Sequence, residues 1–276
     1  MALRINYNLA ASSAQRGLAA SQDVYAKQAE HLSSGLRINR ASDDAAGMAV
    51  SEKLKNQVRG LNQAQRNAQD SISLIQTAEG ALTETHSLLA RMRELAVQSS
   101  NDTLTISDRA NLNAEFTQLY AEIERIGTST QFNTAVLLGG SGAATGMTFQ
   151  IGANSGDTLV FTASSARATS LEVTMSDLTV TSQSISSAAI TSLDVAINVV
   201  SAERAKYGAV QNRLESTIRS LAVASENTSA ANSRIADADI ASSMSELVRA
   251  QILQQAGISV LAQANQSPSL ILQLLK

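Results

Sequence analysis

A heptad repeat of apolar residues dominates the first part of the chain. Every seventh residue there is Leu, Ile or Ala, and these residues are Leu54, Leu61, Ala68, Ile75, Leu82, Leu89 and Ala96. The intervening positions that would share the same helix face are Ala64, Ala78, Thr85 and Met92. This spacing places a narrow apolar stripe along a helix and is typical of coiled coils. It predicts a helix from about Ala45 to Ser99, on the order of 80 Å long at a rise of 1.5 Å per residue.

The composition favours long helices that pack through thin contacts. Hydrophobic residues make up 44% of the chain, but only 3% of residues are aromatic, so the apolar content is mainly Ala, Leu, Ile and Val. Such side chains suit helix-to-helix seams better than a thick core. Proline breaks helix interiors, and the single proline, Pro268, lies close to the C-terminus. Long uninterrupted helices are therefore possible over most of the chain.

A second helix is predicted after a polar break at residues 101–103. Ser107 and Asp108 can cap its start, and Gly127 is expected to end it. Its apolar stripe consists of Leu112, Phe116, Leu119, Ile123 and Ile126.

The heptad returns in the C-terminal half of the chain. It begins after Ser192 and stops at the polar run 225–229, and its residues are Leu193, Val200, Tyr207, Leu214 and Leu221. Two stripes of this kind bury each other economically when their helices pair antiparallel. The sequence thus predicts a mainly α fold, a long antiparallel coiled-coil-like helix bundle.

The middle of the chain has a different character. Two short apolar runs, 147–151 and 158–161, flank a turn rich in Gly and Asn, which predicts a small central β-hairpin. Residues 163–191 are rich in Ser and Thr and are expected to form a second strand pair or an irregular surface stretch.

Weakly apolar helices are predicted at both ends of the chain. Their assembly residues are expected to be Leu9, Leu18, Val24, Ile240, Leu247, Ile252 and Leu261. Each helix alone buries too little surface to offset its ordering entropy. We therefore expect both ends to be frayed in the monomer and to fold in an assembly.

Charge and residue usage exclude several classes of function. A net charge of -3 without a basic block disfavours nucleic acid as the partner, and the lack of Cys excludes disulfides and thiolate metal sites. No secretory signal and no stretch of about 18 uncharged apolar residues are found, so a membrane span is not expected.

No constellation of residues indicates catalysis, a cofactor or a metal. His31 and His86, the only histidines, lie on separate predicted helices without the spacing of a zinc site. A Gly-led turn carries four charged residues that could hold phosphate, but the P-loop pattern is absent. A spoke between helices that is held by ion pairs is the better interpretation of these residues, which are Arg37, Arg40, Asp43 and Asp44.

The chain resembles bacterial flagellin over most of both flanks. Among the matching stretches are SSGLRINRASDDAAGMAVSEKL (33–54), SLIQTAEGALTETHSLLARMRELAVQS (73–99), FQIGAN (149–154), SRIADADIA (233–241) and LAQANQSPSLILQLL (261–275). Many flagellins carry large variable domains in the middle, whereas this chain has little beyond the hairpin.

The resemblance implies a secreted, extracellular structural protein that polymerises with itself into the flagellar filament, in which the terminal helices pair as an inner tube. The implied partners are the flagellar export apparatus, a secretion chaperone, the filament cap and hook-associated proteins. The implied domains are an inner-tube helix and start of the spoke (1–40), the N-terminal shell helices (41–138), a hairpin and short variable region (139–191), the C-terminal shell helix (192–226), and the spoke with the second inner-tube helix (227–276).

Three residues match the flagellin positions that Toll-like receptor 5 recognises. Arg91 and Leu95 lie one helical turn apart, and Glu115 lies on the neighbouring predicted helix. The heptad seam passes through Leu89 and Met92, so Arg91 and Leu95 are expected to point outward. These residues can also serve subunit contacts that a receptor exploits.

Two other functions fit parts of the pattern. A hook-filament junction protein would share the terminal helices, although the FQIGAN hairpin favours flagellin. A cytosolic coiled-coil scaffold would keep its N-terminal helix permanently ordered. An enzyme ranks last, because no spacing of nucleophile, base or ligand stands out.

Overall fold

A computed structural model describes residues 8–139, 146–162, 165–171 and 180–274. The chain divides into two compact units. The first, here called the terminal unit, comprises Met1–Val58 and Asn227–Lys276, and the second, the central unit, comprises Arg59–Glu226.

Long helices form most of the described chain, which confirms the predicted mainly α fold. They are α1 (Leu9–Ser34), α2 (Ala45–Ser99), α3 (Ile106–Ser129), α4 (Gln183–Ala236) and α5 (Ile240–Leu274). Two antiparallel hairpins are present, β1 (Gln131–Phe132) with β2 (Ala135–Val136) and β3 (Met147–Gln150) with β4 (Thr158–Phe161). One 3-10 turn spans Ala168–Leu171.

The predicted heptad seam is the core of the central unit. On α2 the seam residues from Leu61 to Ala96 are all buried, including the intervening Ala64, Ala78, Thr85 and Met92. The heptad residues of α4, from Leu193 to Leu221, are buried as well. The antiparallel direction of the two helices follows from two hydrogen bonds, Arg93 Nε to Asp194 Oδ1 at 2.6 Å and Ser225 Oγ to Asn62 Oδ1 at 2.9 Å.

Helix α3 begins and ends close to its predicted bounds but for different reasons. Thr105 is the N-cap, and Thr105 and Asp108 form a reciprocal capping box. Gly127 does not end the helix, which continues to Ser129. The backbone of Gly127 is instead packed against Arg167, where an added Cβ would lie 3.2 Å from the Arg167 side chain. Gly127 therefore serves close packing.

The predicted β-hairpin is confirmed by the pairing of β3 and β4. Aromatic rings join it to α4, because the Phe161 ring lies 5.0 Å from the Tyr207 ring and 6.2 Å from the Phe149 ring. Burial raises the pKa of the Tyr207 hydroxyl above its usual range. Asn67 Nδ2 on α2 also donates to the Gln150 carbonyl at 3.1 Å. The smaller β1–β2 hairpin is not foreseen from the sequence, since its strands are only two residues long.

Helix α4 is longer than the sequence indicates at both ends. It begins at Gln183 rather than near Ser192, and the polar run 225–229 does not interrupt it. This run contains neither Gly nor Pro, and polar side chains alone do not break a helix. Of the region 163–191, residues 163–164 and 172–179 lie outside the described residues, and no strand pair forms in its described part.

By length and composition alone, α4 is the one described helix that could cross a membrane. Its apolar residues Leu193, Ala196 and Val200 are buried within the central unit. Val195 and Val199 of the same segment are exposed, so packing within the central unit accounts for only part of this apolar character.

Replacing Leu89 by Asp should unfold the central unit, because Leu89 is fully buried and an unpaired carboxylate at that position costs several kcal/mol, on the order of 3 or more. The measurement is urea unfolding followed by circular dichroism. Val97→Asp is the matched control, since Val97 lies on the same helix and is exposed. Equal urea midpoints for Leu89→Asp and Val97→Asp would contradict the placement of Leu89 in a buried seam.

Candidate assembly surfaces

Helices α1 and α5 pack together as an antiparallel pair. Asn8 Nδ2 donates to the Ala264 carbonyl at 2.8 Å, and Gly257 lies against Leu18, where an added Cβ would be 3.5 Å from Leu18 Cδ1. Among the less exposed residues of each helix, one series recurs at spacings of three and four. Its members are Ala11, Ala14, Leu18, Ser21, Tyr25, Gln28 and Leu32 on α1, and Ser243, Leu247, Ala250, Gln254, Gly257, Leu261 and Ala264 on α5. This is a coiled-coil seam built largely from small side chains.

The outer surface of α5 remains apolar, and α1 adds two large exposed apolar residues to it. Large hydrophobic residues are exposed on both helices, namely Leu9, Val24, Ile240, Met244, Val248, Ile252, Leu253, Ile258 and Val260. Helix α5 carries only two charged residues, Glu246 and Arg249, which pair with each other at 3.0 Å. A helix that is apolar on nearly every side is normally buried in a larger structure. The α1–α5 pair therefore presents a docking surface for further protein.

The predicted assembly residues divide between these two surfaces. Leu18, Leu247 and Leu261 lie in the α1–α5 seam. The other four are exposed on the outside, and they are Leu9, Val24, Ile240 and Ile252. Fraying of the ends in the monomer stays a prediction.

Residues 35–44, here called the spoke, bind the connection between α4 and α5. Gly35 ends α1 in the left-handed conformation, with φ of 70°. Leu36 forms a bridge with Asp237, and the Arg37 amide donates to the Ala236 carbonyl at 2.7 Å. The Arg37 guanidinium donates to the Ile235 carbonyl at 2.6 Å. Arg37 thus binds backbone rather than a carboxylate.

The other charged spoke residues bind groups outside the spoke rather than neutralising one another. Asp43 pairs with Lys27 of α1 at 3.0 Å, and Arg40 pairs with Glu30 of α1 at 3.0 Å. Asp44 instead accepts a hydrogen bond from the Gly47 amide in the first turn of α2. Ion pairs do hold the spoke, but they connect it to α1.

The Asp43 carboxylate has the most perturbed environment of the spoke. Its side chain is 15% exposed and accepts hydrogen bonds from Lys27 Nζ and from the Arg40 and Asn39 amides. The Lys27 hydrogen bond, followed by that of the Arg40 amide, lowers the pKa of Asp43 to about 2. Asp43 therefore stays ionised in moderately acidic solution and fixes the turn before α2.

The three receptor-matched residues occupy two different environments. Arg91 donates to Glu115 at 3.0 Å and to Glu94 at 3.0 Å, and both pairs lie on the surface. The neighbouring carboxylates raise the pKa of Arg91. The expectation that Leu95 points outward is wrong, because Leu95 is 1% exposed. It belongs to the hydrophobic core of the central unit, together with the seam residues Met92 and Ala96.

The histidines are separated as expected. His31 is buried near the end of α1, and His86 is half-buried on α2. Within the described parts of the chain, no group of His, Asp and Glu residues is arranged to hold a metal ion.

Sequence reasoning overlooked several residues of these surfaces. Lys27 lies 16 residues before Asp43, and Glu30 lies 10 residues before Arg40, so only the folded turn brings the partners together. Ser51 Oγ donates to Asn232 at 2.7 Å across two distant segments. The seam of α1 and α5 had a detectable signal, since its small residues recur at heptad spacing.

Comparison with protein families gives two matches that together cover most of the chain. Residues 5–143 match the bacterial flagellin N-terminal helical region, and residues 190–275 match the bacterial flagellin C-terminal helical region.

Similar whole proteins have the same length as this chain or nearly so. Flagellin of Halalkalibacterium halodurans is 51% identical over 272 residues, with 99% of each chain covered. Flagellin of Bacillus subtilis is 44% identical over 304 residues, covering 99% of this chain and 100% of the relative. The flagellar filament 31.3 kDa core protein of Treponema maltophilum is 44% identical over 287 residues, with 99% of each covered.

Two solved structures are similar in fold. The crystal structure of Bacillus cereus flagellin has a TM-score of 0.51 at 34% identity, covering 56% of this chain and 88% of the other. A protein described as a flagellar hook-associated protein of Vibrio parahaemolyticus has a TM-score of 0.61 over 71% of this chain and 100% of the other. At 15% identity the second likeness concerns the fold alone.

Replacing Asp43 by Asn should weaken the spoke at neutral pH and remove the part of its acid sensitivity that Asp43 causes. A lowered pKa means that the ionised Asp43 stabilises the folded spoke above about pH 4, and that this contribution is lost as the pH falls towards about 2. The measurement is amide exchange at Asn39 and Arg40 between pH 7 and 2, in both proteins. Asp23→Asn on the exposed side of α1 is the control. If the difference in amide exchange rates between wild type and Asp43→Asn does not become smaller in acid, this role of Asp43 is contradicted.

Proposed function

The chain belongs to the bacterial flagellin family and is a structural subunit of the flagellar filament, and we propose that its exposed terminal helices drive polymerisation by folding and packing together. It is a short form without large outer domains. The observation that carries the mechanism is the outer face of α5, which is apolar over much of its length and has one internal ion pair.

The energetics of the two units differ in a way that supports coupled folding and assembly. The central unit buries large seam residues such as Ile75, Leu89 and Tyr207 within one chain. The α1–α5 seam consists mostly of Ala, Ser, Gly and Gln, which bury little apolar area per residue. Ordering the two terminal helices costs about 1 to 2 kcal/mol per residue in backbone entropy. Contacts with neighbouring copies supply the additional burial that offsets this cost.

The two units suit different places in the filament. We assign the terminal helices, within residues 1–40 and 227–276, to an inner tube, because the exposed apolar residues of α5, with Leu9 and Val24 of α1, require neighbours that cover them. We assign residues 41–138 and 192–226, with the hairpin region 139–191, to the surrounding shell, which thus comprises the central unit and residues 41–58 of the terminal unit. The central unit has its own core and tolerates an exposed face.

The remaining proposals follow from membership of the family. The subunit is secreted and acts outside the cell, and it is exported unfolded by the flagellar export apparatus with the help of a secretion chaperone. The filament cap and hook-associated proteins are its other partners in assembly. Its role is structural rather than enzymatic.

An innate receptor is a further proposed partner. The exposed Arg91–Glu115 pair supplies a charged anchor of the kind found at binding hot spots. Toll-like receptor 5 is the proposed receptor. Leu95 contributes by supporting α2 from within the core, since it is buried.

Replacing Ile252 by Asp should prevent filament growth, because a carboxylate on the outer face of α5 would be desolvated in the assembly. The measurement is growth from short wild-type seeds, followed by electron microscopy. Ile252→Leu, which keeps the apolar area, is the control and should grow normally. Removal of residues 240–276 should abolish growth while the central unit keeps its thermal midpoint. Normal filaments from Ile252→Asp would rule out this face as an assembly surface.

Replacing both Arg91 and Glu115 by Ala should weaken receptor binding by about 2 kcal/mol or more, as expected for central charged anchors. The measurement is binding and activation of Toll-like receptor 5 by monomers and by cross-linked filaments. The matched control replaces Arg125 and Glu122 of α3, a similarly exposed ion pair. Full potency of the Arg91/Glu115 variant as a monomer would exclude this surface as the receptor site.

A further inference from the structure

The only proline of the chain lies inside α5 and leaves one carbonyl without its helical donor. Helix α5 extends from Ile240 to Leu274 and includes Pro268. In a helix, the amide of residue 268 would donate to the carbonyl of residue 264, but proline has no N–H. The Ala264 carbonyl therefore lacks its usual partner. It accepts instead from Asn8 Nδ2, on the other terminal helix, at 2.8 Å.

The same side chain also caps α1. Asn8 is the N-cap residue, and its Oδ1 accepts from the Ala11 amide at 3.0 Å. The first amides of any helix have no intrahelical acceptor, so this bond satisfies one of them. One asparagine thus supplies an acceptor to the start of α1 and a donor to the position in α5 that proline leaves unsatisfied.

We propose that Asn8 fixes the register of the two terminal helices by binding the Ala264 carbonyl that Pro268 leaves free. The bond is specific to one register, since the chain contains no other proline that could create a second such carbonyl. The tether acts on the terminal helices as they fold during filament growth, and in this respect it rests on the proposed function.

The composition of the seam explains why a polar tether is needed. Small residues such as Ala14, Ser21, Ala250 and Gly257 recur along both helices at heptad spacing. Sliding one helix by a heptad would return many of these small side chains to equivalent seam positions at modest cost. Single polar residues that find a partner in only one alignment are an established way to fix coiled-coil register.

The competing interpretation is that Asn8 is an N-cap and nothing more. Asn8→Asp separates the two roles, because Asp caps a helix about as well as Asn but has no N–H to donate. Asn8→Ser retains a cap without a charge and is too short to reach α5. Pro268→Ala restores the amide of residue 268, so that the Ala264 carbonyl regains a helical donor and no longer depends on Asn8.

The experiment is a double-mutant cycle on the full chain, with wild type, Asn8→Asp, Pro268→Ala and the double variant. The measured quantity is the critical concentration for growth from wild-type seeds. Asn8→Asp should raise it about three- to tenfold in the wild-type background, as expected for the loss of one hydrogen bond with an unsatisfied partner. In the Pro268→Ala background the same change should have an effect of less than about twofold. Asn8→Ser should follow the same pattern.

Two results would overturn the tether. Equal effects of Asn8→Asp in both backgrounds would mean that only the cap or the new charge matters. No effect in either background would mean that the bond contributes nothing. If wild-type chains do not grow from seeds, the proposed function fails. The same double-mutant cycle is then measured in the soluble chain through hydrogen exchange of the Ala11 amide. This second measurement tests the tether independently of filament growth.

Discussion

Burial along seams that are one side chain wide is the constraint on which the whole structure depends. With few aromatic residues and no Cys, the chain has neither bulky groups for a thick core nor covalent cross-links. Its helices must therefore be long, so that many small contacts add up. In the central unit, contacts within one chain are sufficient, because Leu, Ile and Tyr from α2 and α4 fill the seam and α3 and the hairpin cover it.

The terminal unit follows the same design with smaller side chains. Its seam is mostly Ala, Ser, Gly and Gln with a few Leu and one Tyr, so it buries little per residue, while Ile240, Ile252 and Ile258 remain outside. A helix pair of this kind is stabilised only when other surfaces cover it. The difference between a self-sufficient unit and an assembling one thus lies in the size of the seam residues, since both use the same heptad geometry.

Polar groups determine where each element starts, stops and aligns. Asp43 accepts hydrogen bonds from two amides and one ammonium group at the turn before α2. Arg37 binds carbonyl groups at the end of α4. Asn8 binds one backbone amide of α1 and one backbone carbonyl of α5. Apolar seams are permissive in register because one small residue resembles another. Directional hydrogen bonds to single backbone groups remove this ambiguity.

The sequence by itself determined the helices, their antiparallel seam and the β3–β4 hairpin, because periodicity and turn chemistry are local properties. It also indicated both terminal helices and the charged spoke. Only the tertiary structure decided that Leu95 is buried, that Gly127 packs against Arg167, and that Asp43 and Arg40 find partners on α1. These outcomes depend on which distant segments meet. A heptad specifies which face of a helix is apolar, but neighbouring helices decide how wide the buried face becomes and which charges face one another.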